Sequence, residues 1–315
     1  MTWEANLDRP YYSFRKKWPS RLFHHAPLEN AVDILRDGCL RSRQDPKNTK
    51  RRDVAGVGVI DARTHAHNSA RLYFRPRTPT QYHIEGIRKS NECNYGPGAH
   101  APLLFMMVFD ARAVLSQEGV MVSDRNMQLG DACPSDQDAY FEAIPFGKVY
   151  HEGGIGGDRT IIAHRCAEIL VPSPLILDGS LQWVYCRSVA ERSTLLHLLG
   201  PTAKNWLSRI IVSDDLLVFL RDFVFVEDVT IGPEGLVFQL NPRRDLAEVD
   251  VQITAQNSKG VVLVNFGNKA MKARPAGAKR WRIEAKFPSG TYHVQVRLEQ
   301  HLAFDALINF GTGLI

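Results

Sequence analysis

Isolated polar residues within apolar segments are the sequence's strongest chemical signals. Glu168 lies inside the apolar run at 167–171, and Tyr73 lies inside the shorter run at 72–74. A buried carboxylate costs free energy unless it has a partner, so Glu168 is either paired structurally or used in catalysis. Tyr73 presents the same two alternatives. His24 ends another short apolar segment and is a third candidate.

The common catalytic and metal motifs are absent. The sequence has no Walker A motif, no G-x-G-x-x-G after a strand, no H-E-x-x-H and no G-x-S-x-G. His65 and His67 have the spacing of ligands on one strand face, but no third ligand follows at a recognisable spacing. The glycine-rich run at 153–157 leads into no helix and is typical of a hinge. The five cysteines stand singly and support neither a disulfide framework nor a zinc site. We therefore expect no metal.

The charge is unevenly distributed along the 315 residues. Residues 1–90 carry 18 Lys+Arg against 9 Asp+Glu, a net charge of +9, and the other 225 carry 21 against 25, a net charge of −4. This asymmetry indicates either an anionic partner near the N-terminal half, such as a nucleotide or nucleic acid, or a solvated charged face. No apolar stretch is long enough to cross a membrane, and the N-terminus does not resemble a secretory signal. We expect a cytoplasmic protein without a membrane partner.

The elements that would position these residues follow from apolar periodicity. The pattern predicts a strand at 22–25, a helix from Pro27 that ends at Gly38, and strands at 72–74, 103–109 and 167–171. Residues 116–165 show little periodicity and contain seven glycines, which favours a long functional loop over a packed element.

The pattern of apolar and polar residues changes near residue 229. Short, partly alternating strand segments follow at intervals of about 10–15 residues, at 236–240, 249–253, 261–266, 281–285 and 292–296. This pattern is typical of a small antiparallel sandwich or barrel. We therefore predict three parts: an N-terminal aromatic and basic arm at 1–20, a catalytic domain at 21–228 and an all-β domain at 229–315. The arm interleaves aromatic residues such as Tyr12 and Trp18 with arginine and lysine, so it either stacks on nucleic-acid bases or staples the tail to the body.

Four segments in order resemble one known family. The residues that carry the resemblance lie at 22–30, 34–40, 70–82 and 165–172. They are similar to the DarT toxins, NAD-dependent ADP-ribosyltransferases that modify bases of single-stranded DNA in bacterial toxin–antitoxin or phage-defence systems. The resemblance implies an α+β fold, with an ADP-ribosyltransferase-like core of two curved, mainly antiparallel sheets and few helices. The small all-β sandwich would follow this core.

The resemblance also implies roles for individual residues. Glu168 would be the catalytic glutamate, and Arg63 would contact the NAD phosphate and assist the target base. His24 would hold the ribose and amide of NAD, Tyr73 would stack on the nicotinamide, and Asn30 would lie near the same pocket. Residues 119–163 would form the target-recognition loop. The residues expected to contact the substrate strand are Asp124, Arg125, Arg75 and Arg77.

Several alternatives remain open at this point. The same chemistry could act on single-stranded RNA, or the chain could be a non-catalytic adaptor that binds NAD or nucleic acid. NAD is the expected co-substrate in the leading interpretation, and single-stranded DNA is the expected partner. Residues 229–315 could dock an antitoxin or a chaperone, bind nucleic acid, or only stabilise the chain.

Overall fold

The computed structural model describes residues 3–11, 13–49, 52, 68–93, 100–242, 248–272 and 280–311. The chain forms two compact units, each assembled from separate stretches of sequence. The first unit comprises Met1–Ile84, Phe105–Tyr185 and Ser213–Leu220, and the second comprises Glu85–Leu104, Cys186–Val212 and Arg221–Ile315. The domains predicted from sequence are continuous segments, whereas each of these units combines several segments. The predicted domain boundaries therefore stay a prediction.

The first unit is built around one mainly antiparallel sheet. Its strands are β1 (Arg21–Pro27), β2 (Cys39–Leu40), β3 (Ser69–Tyr73), β4 (Leu104–Asp110), β5 (Met121–Ser123), β6 (Glu168–Pro172), β7 (Leu175–Ile176) and β8 (Leu181–Cys186). Six of these lie side by side in the order β5-β6-β3-β1-β4-β8, while β2 pairs with β7 in a separate two-stranded sheet. β4 is an inner strand, and every residue from Leu104 to Phe109 is buried, as its uninterrupted apolar run predicts.

The helices of this unit are short. They are α1 (Glu4–Leu7), α2 (Leu28–Asp37), α3 (Pro79–Ile84), α4 (Ala111–Leu115), α5 (Asp138–Ala143), α6 (Phe146–Val149) and α7 (Thr160–His164). α2 buries Leu28, Ala31, Val32 and Leu35 on one face. It ends where Gly38 takes a φ of +71°, a left-handed conformation that glycine adopts without strain. The helix predicted from this pattern is confirmed.

The aromatic residues near the N-terminus pack within the first unit. Trp18 is fully buried, and its indole Nε1 donates a hydrogen bond to the carbonyl of Leu216 at 3.0 Å. The Tyr11 hydroxyl donates to the carbonyl of Phe146 at 3.1 Å. Of the two alternatives for this segment, stapling agrees with these contacts. Tyr12 lies outside the described residues.

The prediction of an unpacked loop at 116–165 is wrong. β5 lies in this stretch and pairs with β6, which follows it. The stretch also contains α5, α6 and α7, which bury Phe141, Phe146 and Ile161 respectively. These helices have six, four and five residues. Each is therefore shorter than two turns, too short for an apolar face to recur in the sequence and reveal it.

The second unit is a β-sandwich with one long helix. The elements are α8 (Val189–Leu199), β9 (Ile210–Val212), β10 (Val226–Gly232), β11 (Gly235–Leu240), β12 (Glu248–Asn257), β13 (Val262–Lys272), β14 (Trp281–Ile283), β15 (Gly290–Leu298) and β16 (His301–Phe310). One sheet has the order β10-β11-β14 and the other β13-β12-β15-β16, and all of these pairs are antiparallel. Residues such as Phe238 and Val294 join both sheets in one apolar cluster. The predicted all-β sandwich is confirmed.

A buried ion pair braces the start of α8. The guanidinium of Arg187 donates from Nε to Glu191 Oε1 at 2.8 Å and from Nη2 to the Pro102 carbonyl at 2.6 Å. Both charged side chains are almost completely inaccessible to water, so each neutralises a charge that would otherwise be costly to bury. Ser188 caps the helix by accepting a hydrogen bond from the backbone amide of Glu191.

The mixed fold with few helices and several sheets confirms the predicted α+β class. No helix in the described ranges has the length and apolarity needed to cross a membrane.

Candidate active site

Candidate residues from distant parts of the chain meet on neighbouring strands of the first unit. β1, β3, β6 and β5 lie side by side, and their register pairs Phe23 with Tyr73 and Tyr73 with Glu168. Ser123 of β5 is the partner of Glu168 on its other side. Directly opposed residues of antiparallel strands project from the same face. The sheet therefore brings the tyrosine and the glutamate together. The His24 ring lies near them through a separate contact, since it is 6.3 Å, centroid to centroid, from the ring of His25, which stacks on Tyr73.

Glu168 is a buried carboxylate with incomplete pairing. Its side chain is 1% exposed, and its Oε2 atom has no hydrogen-bond partner among the described residues. Arg71 Nη1 lies 3.6 Å from this oxygen, close enough for an ion pair but beyond a hydrogen bond. Burial raises the pKa of Glu168 to about 7, although Arg71 and a backbone hydrogen bond from Met127 act to lower it. A desolvated acceptor of this kind is a candidate site for a ligand hydroxyl.

The protonation state of His24 follows from one contact. Its Nδ1 lies 2.9 Å from the carbonyl oxygen of Arg71. A carbonyl can only accept, so Nδ1 carries the proton and Nε2 is an acceptor. Burial lowers the pKa of His24, which keeps the ring neutral near pH 7. The side chain thus offers one acceptor of fixed orientation.

Tyr73 is held by a ring stack. Its ring lies 5.3 Å from that of His25, centroid to centroid, and the planes differ by only 7°. Burial, with a smaller effect of His24, lowers the pKa of His25 to about 3. Burial and the negative charge of Glu168 raise the pKa of Tyr73. Both rings are therefore neutral, and the stack fixes the orientation of Tyr73.

The side chain of Asn30 hydrogen bonds to the backbone of Arg52, outside its own helix. From α2 its Nδ2 donates to the carbonyl of Arg52 at 2.8 Å, and its Oδ1 accepts from the amide of Arg52 at 3.0 Å. The amide group is thus occupied by backbone atoms and holds the chain just before residues 53–67. That stretch, which includes Arg63, lies outside the described residues. The cofactor-binding roles of Asn30 and Arg63 stay predictions.

Asp124 and Arg125 form a polar cluster directly after Ser123. Two guanidinium nitrogens of Arg125 donate to the two carboxylate oxygens of Asp124 at 3.0 and 2.9 Å. The Tyr140 hydroxyl donates to the same carboxylate at 3.2 Å, and His164 Nδ1 lies 2.8 Å from the Asp124 carbonyl. Burial acts to raise the pKa of Asp124, but the hydrogen bonds from Arg125 outweigh it and hold this pKa below its usual value. The pair is a rigid charged group beside the glutamate strand.

Arg75 and Arg77 have different environments. Arg75 is 1% exposed, packs over the Trp18 ring, and hydrogen bonds the carboxylate of Glu152. Burial lowers the pKa of Arg75 to about 10. Arg77 is 26% exposed, and its Nη1 lies 3.2 Å from the same Glu152 carboxylate. The substrate contacts of both stay predictions, and the burial of Arg75 favours an architectural role for that residue.

Sequence reasoning missed Arg71 and His25. Both lie in segments that carry the family resemblance, and strand alternation places Arg71 on the same face as Tyr73, two residues away. The cost of burying Glu168 requires a cation nearby, so a search for basic residues on the adjoining strands would have found Arg71.

A family model matches residues 23–213, a range that includes His24, Tyr73 and Glu168. The model is that of "ssDNA thymidine ADP-ribosyltransferase, DarT". The chain belongs to the DarT family. This membership confirms the predicted family resemblance, the predicted ADP-ribosyltransferase class and the prediction of single-stranded DNA as the target. It argues against the RNA-modifying and non-catalytic alternatives.

A solved DarT structure shares the fold, and two further DarT structures match more weakly. The structure of Thermus sp. 2.9 DarT with ADP-ribosylated ssDNA is 19% identical, with a TM-score of 0.50, and the match covers 63% of this chain and 96% of that one. Thermus sp. 2.9 DarT with NAD+ matches at 19% identity and a TM-score of 0.48, covering 63% and 97%. Thermosipho africanus DarTG with ADP-ribose matches at 16% identity and a TM-score of 0.40, covering 69% and 55%. No curated protein matches the chain.

Proposed function

We propose that this DarT family member transfers ADP-ribose from NAD+ to the base of thymidine in single-stranded DNA, with Glu168 as the catalytic residue. The observation that carries the proposal is the Oε2 atom of Glu168, which is buried, lacks a hydrogen-bond partner in the described part of the chain, and lies in register with Tyr73. Leaving such an acceptor unsatisfied costs about 1–3 kcal/mol. A sugar hydroxyl donating to this oxygen would recover that free energy.

The carboxylate suits both halves of the transfer. NAD+ supplies the ADP-ribosyl group through cleavage of its nicotinamide–ribose bond, and positive charge develops on the ribose as the bond breaks. A negative charge fixed beside the sugar stabilises that charge in a site with little water. A pKa of about 7 also matches the task of a general base near neutral pH, so Glu168 can accept the proton that the attacking base nitrogen loses.

The residues around the glutamate fit the co-substrate. His24 presents its Nε2 as an acceptor, suited to the amide N–H of nicotinamide or to a ribose hydroxyl. Tyr73, held by its stack on His25, provides a fixed neutral ring for the nicotinamide. Arg71, 3.6 Å away, favours the ionised form of Glu168 against the effect of burial and orients it, which makes Arg71 a positioning residue. The guanidinium of Arg63 would donate hydrogen bonds to the pyrophosphate.

The strand bound by the enzyme must be unpaired. A base inside a duplex cannot reach a buried carboxylate, so the target base has to leave its stack. The net charge of +9 over residues 1–90 attracts the phosphates of such a strand, and Asp124 with Arg125 directly follows the strand opposite Glu168. We assign these two residues to contact with the target nucleotide.

The test uses the purified chain, labelled NAD+ and matched oligomers: single-stranded DNA with one thymidine, the same DNA without thymidine, and RNA. Label is expected only on the thymidine-containing DNA. Glu168→Gln keeps the side-chain shape and removes the charge, and it is expected to abolish labelling. Glu118→Gln, at an exposed position, is the matched control and should label normally. Labelling by Glu168→Gln at the normal rate would disprove the mechanism, and label on RNA would disprove the target.

The cellular role follows from the chemistry. Modified bases in unpaired DNA block replication, so we propose that the chain acts as a toxin of a toxin–antitoxin or phage-defence system, in the cytoplasm where DNA and NAD+ both occur. An antitoxin, and a chaperone, would dock on residues 229–315. Induced expression in bacteria should arrest growth with the wild-type chain and not with Glu168→Gln. Normal growth with an active enzyme would refute the toxin role.

A further inference from the structure

Two histidines and one aspartate of the second unit lie close to one another. They are His197 in α8, His293 in β15 and Asp305 in β16. One ligand atom of each lies within 4.8 Å of the other two. His293 Nε2 is 2.6 Å from Asp305 Oδ1, and His197 Nε2 is 3.6 Å from the same oxygen. None of these residues takes part in the function proposed above.

The three groups are held by further polar contacts. Gln256 Nε2 lies 3.2 Å from His293 Nδ1, and Gln295 Nε2 donates to Asp305 Oδ2 at 3.0 Å. These glutamines are positioned by register, because Gln256 is the strand partner of His293 and Gln295 is the partner of Asp305. Partners of this kind orient metal ligands in proteins.

The main chain next to the carboxylate is fixed as well. The amide of Asp305 donates to Thr194 Oγ1 at 3.0 Å, one turn before His197 in α8. Helix and hairpin are thereby joined beside the cluster, so the three groups sit on regular elements rather than on mobile loops. Rigid support is what a preformed ligand set requires.

We propose that His197, His293 and Asp305 bind a Zn2+ ion. Two imidazole nitrogens and one carboxylate oxygen are a donor set that zinc favours, with a water as the fourth ligand. Zinc–ligand bonds of about 2.0–2.1 Å in a tetrahedron place ligand atoms roughly 3.3 Å apart. The two separations from Asp305 Oδ1, 2.6 and 3.6 Å, lie on either side of that value, and the two histidine nitrogens lie within 4.8 Å of each other, so side-chain adjustments of about 1.5 Å or less bring all three to the ion.

The cluster is accessible to the ion. The side chains of His197 and His293 are 28% and 30% exposed, whereas Asp305 is 11% exposed. A partly open side gives the ion a path in and leaves room for the water ligand. The carboxylate, the more deeply placed group, provides the negative charge.

Zinc binding requires one rearrangement of protons. Without metal, the Asp305 carboxylate accepts from His293 Nε2–H, and Nδ1 accepts from the Gln256 amide. When the ion takes the place of the Nε2 proton, that proton moves to Nδ1, and the Gln256 amide turns to present its oxygen. No proton is gained or lost in this exchange. The ion would tie α8 to the β15–β16 hairpin and would have no part in ADP-ribosyl transfer.

The experiment titrates the full-length chain, stripped with a chelator, with ZnSO4 against a chromogenic zinc chelator. One zinc per chain is expected, with a rise in the thermal midpoint. His293→Gln and Asp305→Asn should each lose this binding, and Gln256→Leu should weaken it 10–100-fold. His83→Gln, on α3 of the first unit, is the matched control and should bind normally.

A spectroscopic measurement on the wild-type chain covers the case in which a variant fails to fold. Co2+ is added in place of zinc, and tetrahedral coordination by nitrogen and oxygen gives intense visible absorption bands. Absence of a stoichiometric site, equal binding by His293→Gln, or octahedral Co2+ spectra would each overturn the proposal. A loss of labelling activity in Glu168→Gln has no bearing on this titration, so the two proposals fail independently.

Discussion

Replacing Glu168 by glutamine is expected to stabilise the first unit at high pH while it abolishes transfer. The carboxylate is buried and only partly paired, so ionising it costs free energy that a neutral amide of the same shape does not incur. The cost exists only where the carboxylate is charged. The gain in stability from Glu168→Gln therefore depends on pH. A gain that increases with pH identifies the charge of the buried carboxylate as its cause.

The size of the effect follows from the pKa. That of Glu168 rises from 4.5 to about 7 on folding, so between these values the folded state holds a proton that the unfolded state has released. The stability of the wild-type chain falls as pH rises through this window, by about 3 kcal/mol in total. The loss is absent at pH 4 and complete above about pH 8. In a unit of about 170 residues, this corresponds to a shift in thermal midpoint of about 6–12 °C.

The assay compares thermal and urea unfolding of both proteins at pH 4 and pH 8.5. Glu168→Gln should match the wild type at pH 4 and exceed it at pH 8.5. Asp124→Asn is the matched control with the opposite sign, because hydrogen bonds from Arg125 hold the pKa of Asp124 below its usual value. That variant should be less stable than the wild type at both pH values, because the deficit is already nearly complete at pH 4 and disappears only at lower pH, as the Asp124 carboxyl of the wild type becomes protonated. A stability difference for Glu168→Gln that is the same at both pH values would refute the reasoning.

Three further variants test other parts of the structure. Arg71→Gln removes the cation beside Glu168, so the pKa of that carboxyl rises. The pH at which transfer reaches half its maximum should therefore increase by about one unit. An unshifted pH–rate profile would contradict the assigned pairing. Glu191→Gln leaves the buried charge of Arg187 without a counter-ion and should lower the free energy of unfolding, measured in urea, by about 3–5 kcal/mol. The double variant Arg187→Met with Glu191→Leu removes both charges and should recover most of that loss. Gly86→Ala should lower the thermal midpoint strongly, because φ there is +94° and the new Cβ would stand 2.7 Å from a neighbouring side chain; an unchanged midpoint would contradict that geometry.

The sequence was informative where apolar patterns are long. The run at 103–109 predicts an inner strand, and the pattern from Leu28 to Gly38 predicts a helix with its stop, and both are present. The strands β10 and β16 were missed. Glu227 and Asp228 interrupt the apolar pattern of β10, and β16 follows β15 after only two residues, with no run of turn residues to mark a boundary.

The apolar pattern singles out Glu168, Tyr73 and His24 as candidates, but only the family resemblance predicts a role for each. The spacing around Glu168 leaves both a structural ion pair and a catalytic carboxylate open, since both place a carboxylate in an apolar strand. Strand register decides which residues face it, and register depends on pairings between segments more than 90 residues apart, such as β3 and β6. The zinc-binding cluster is invisible in sequence for the same reason, because its residues lie on one helix and two strands with no motif spacing.

The order of strands in the first sheet has a consequence for synthesis. β6 lies between β3 and β5, yet it is the last of these strands to leave the ribosome, about 140 residues after β1. Contacts this distant in sequence form late, because the whole intervening chain must be closed into a loop first. At about 5–20 residues per second, a growing chain remains catalytically silent for roughly 10–30 s. In the proposed mechanism, a chain whose synthesis stops before residue 168 lacks the catalytic carboxylate and is inert toward the DNA of the cell that makes it.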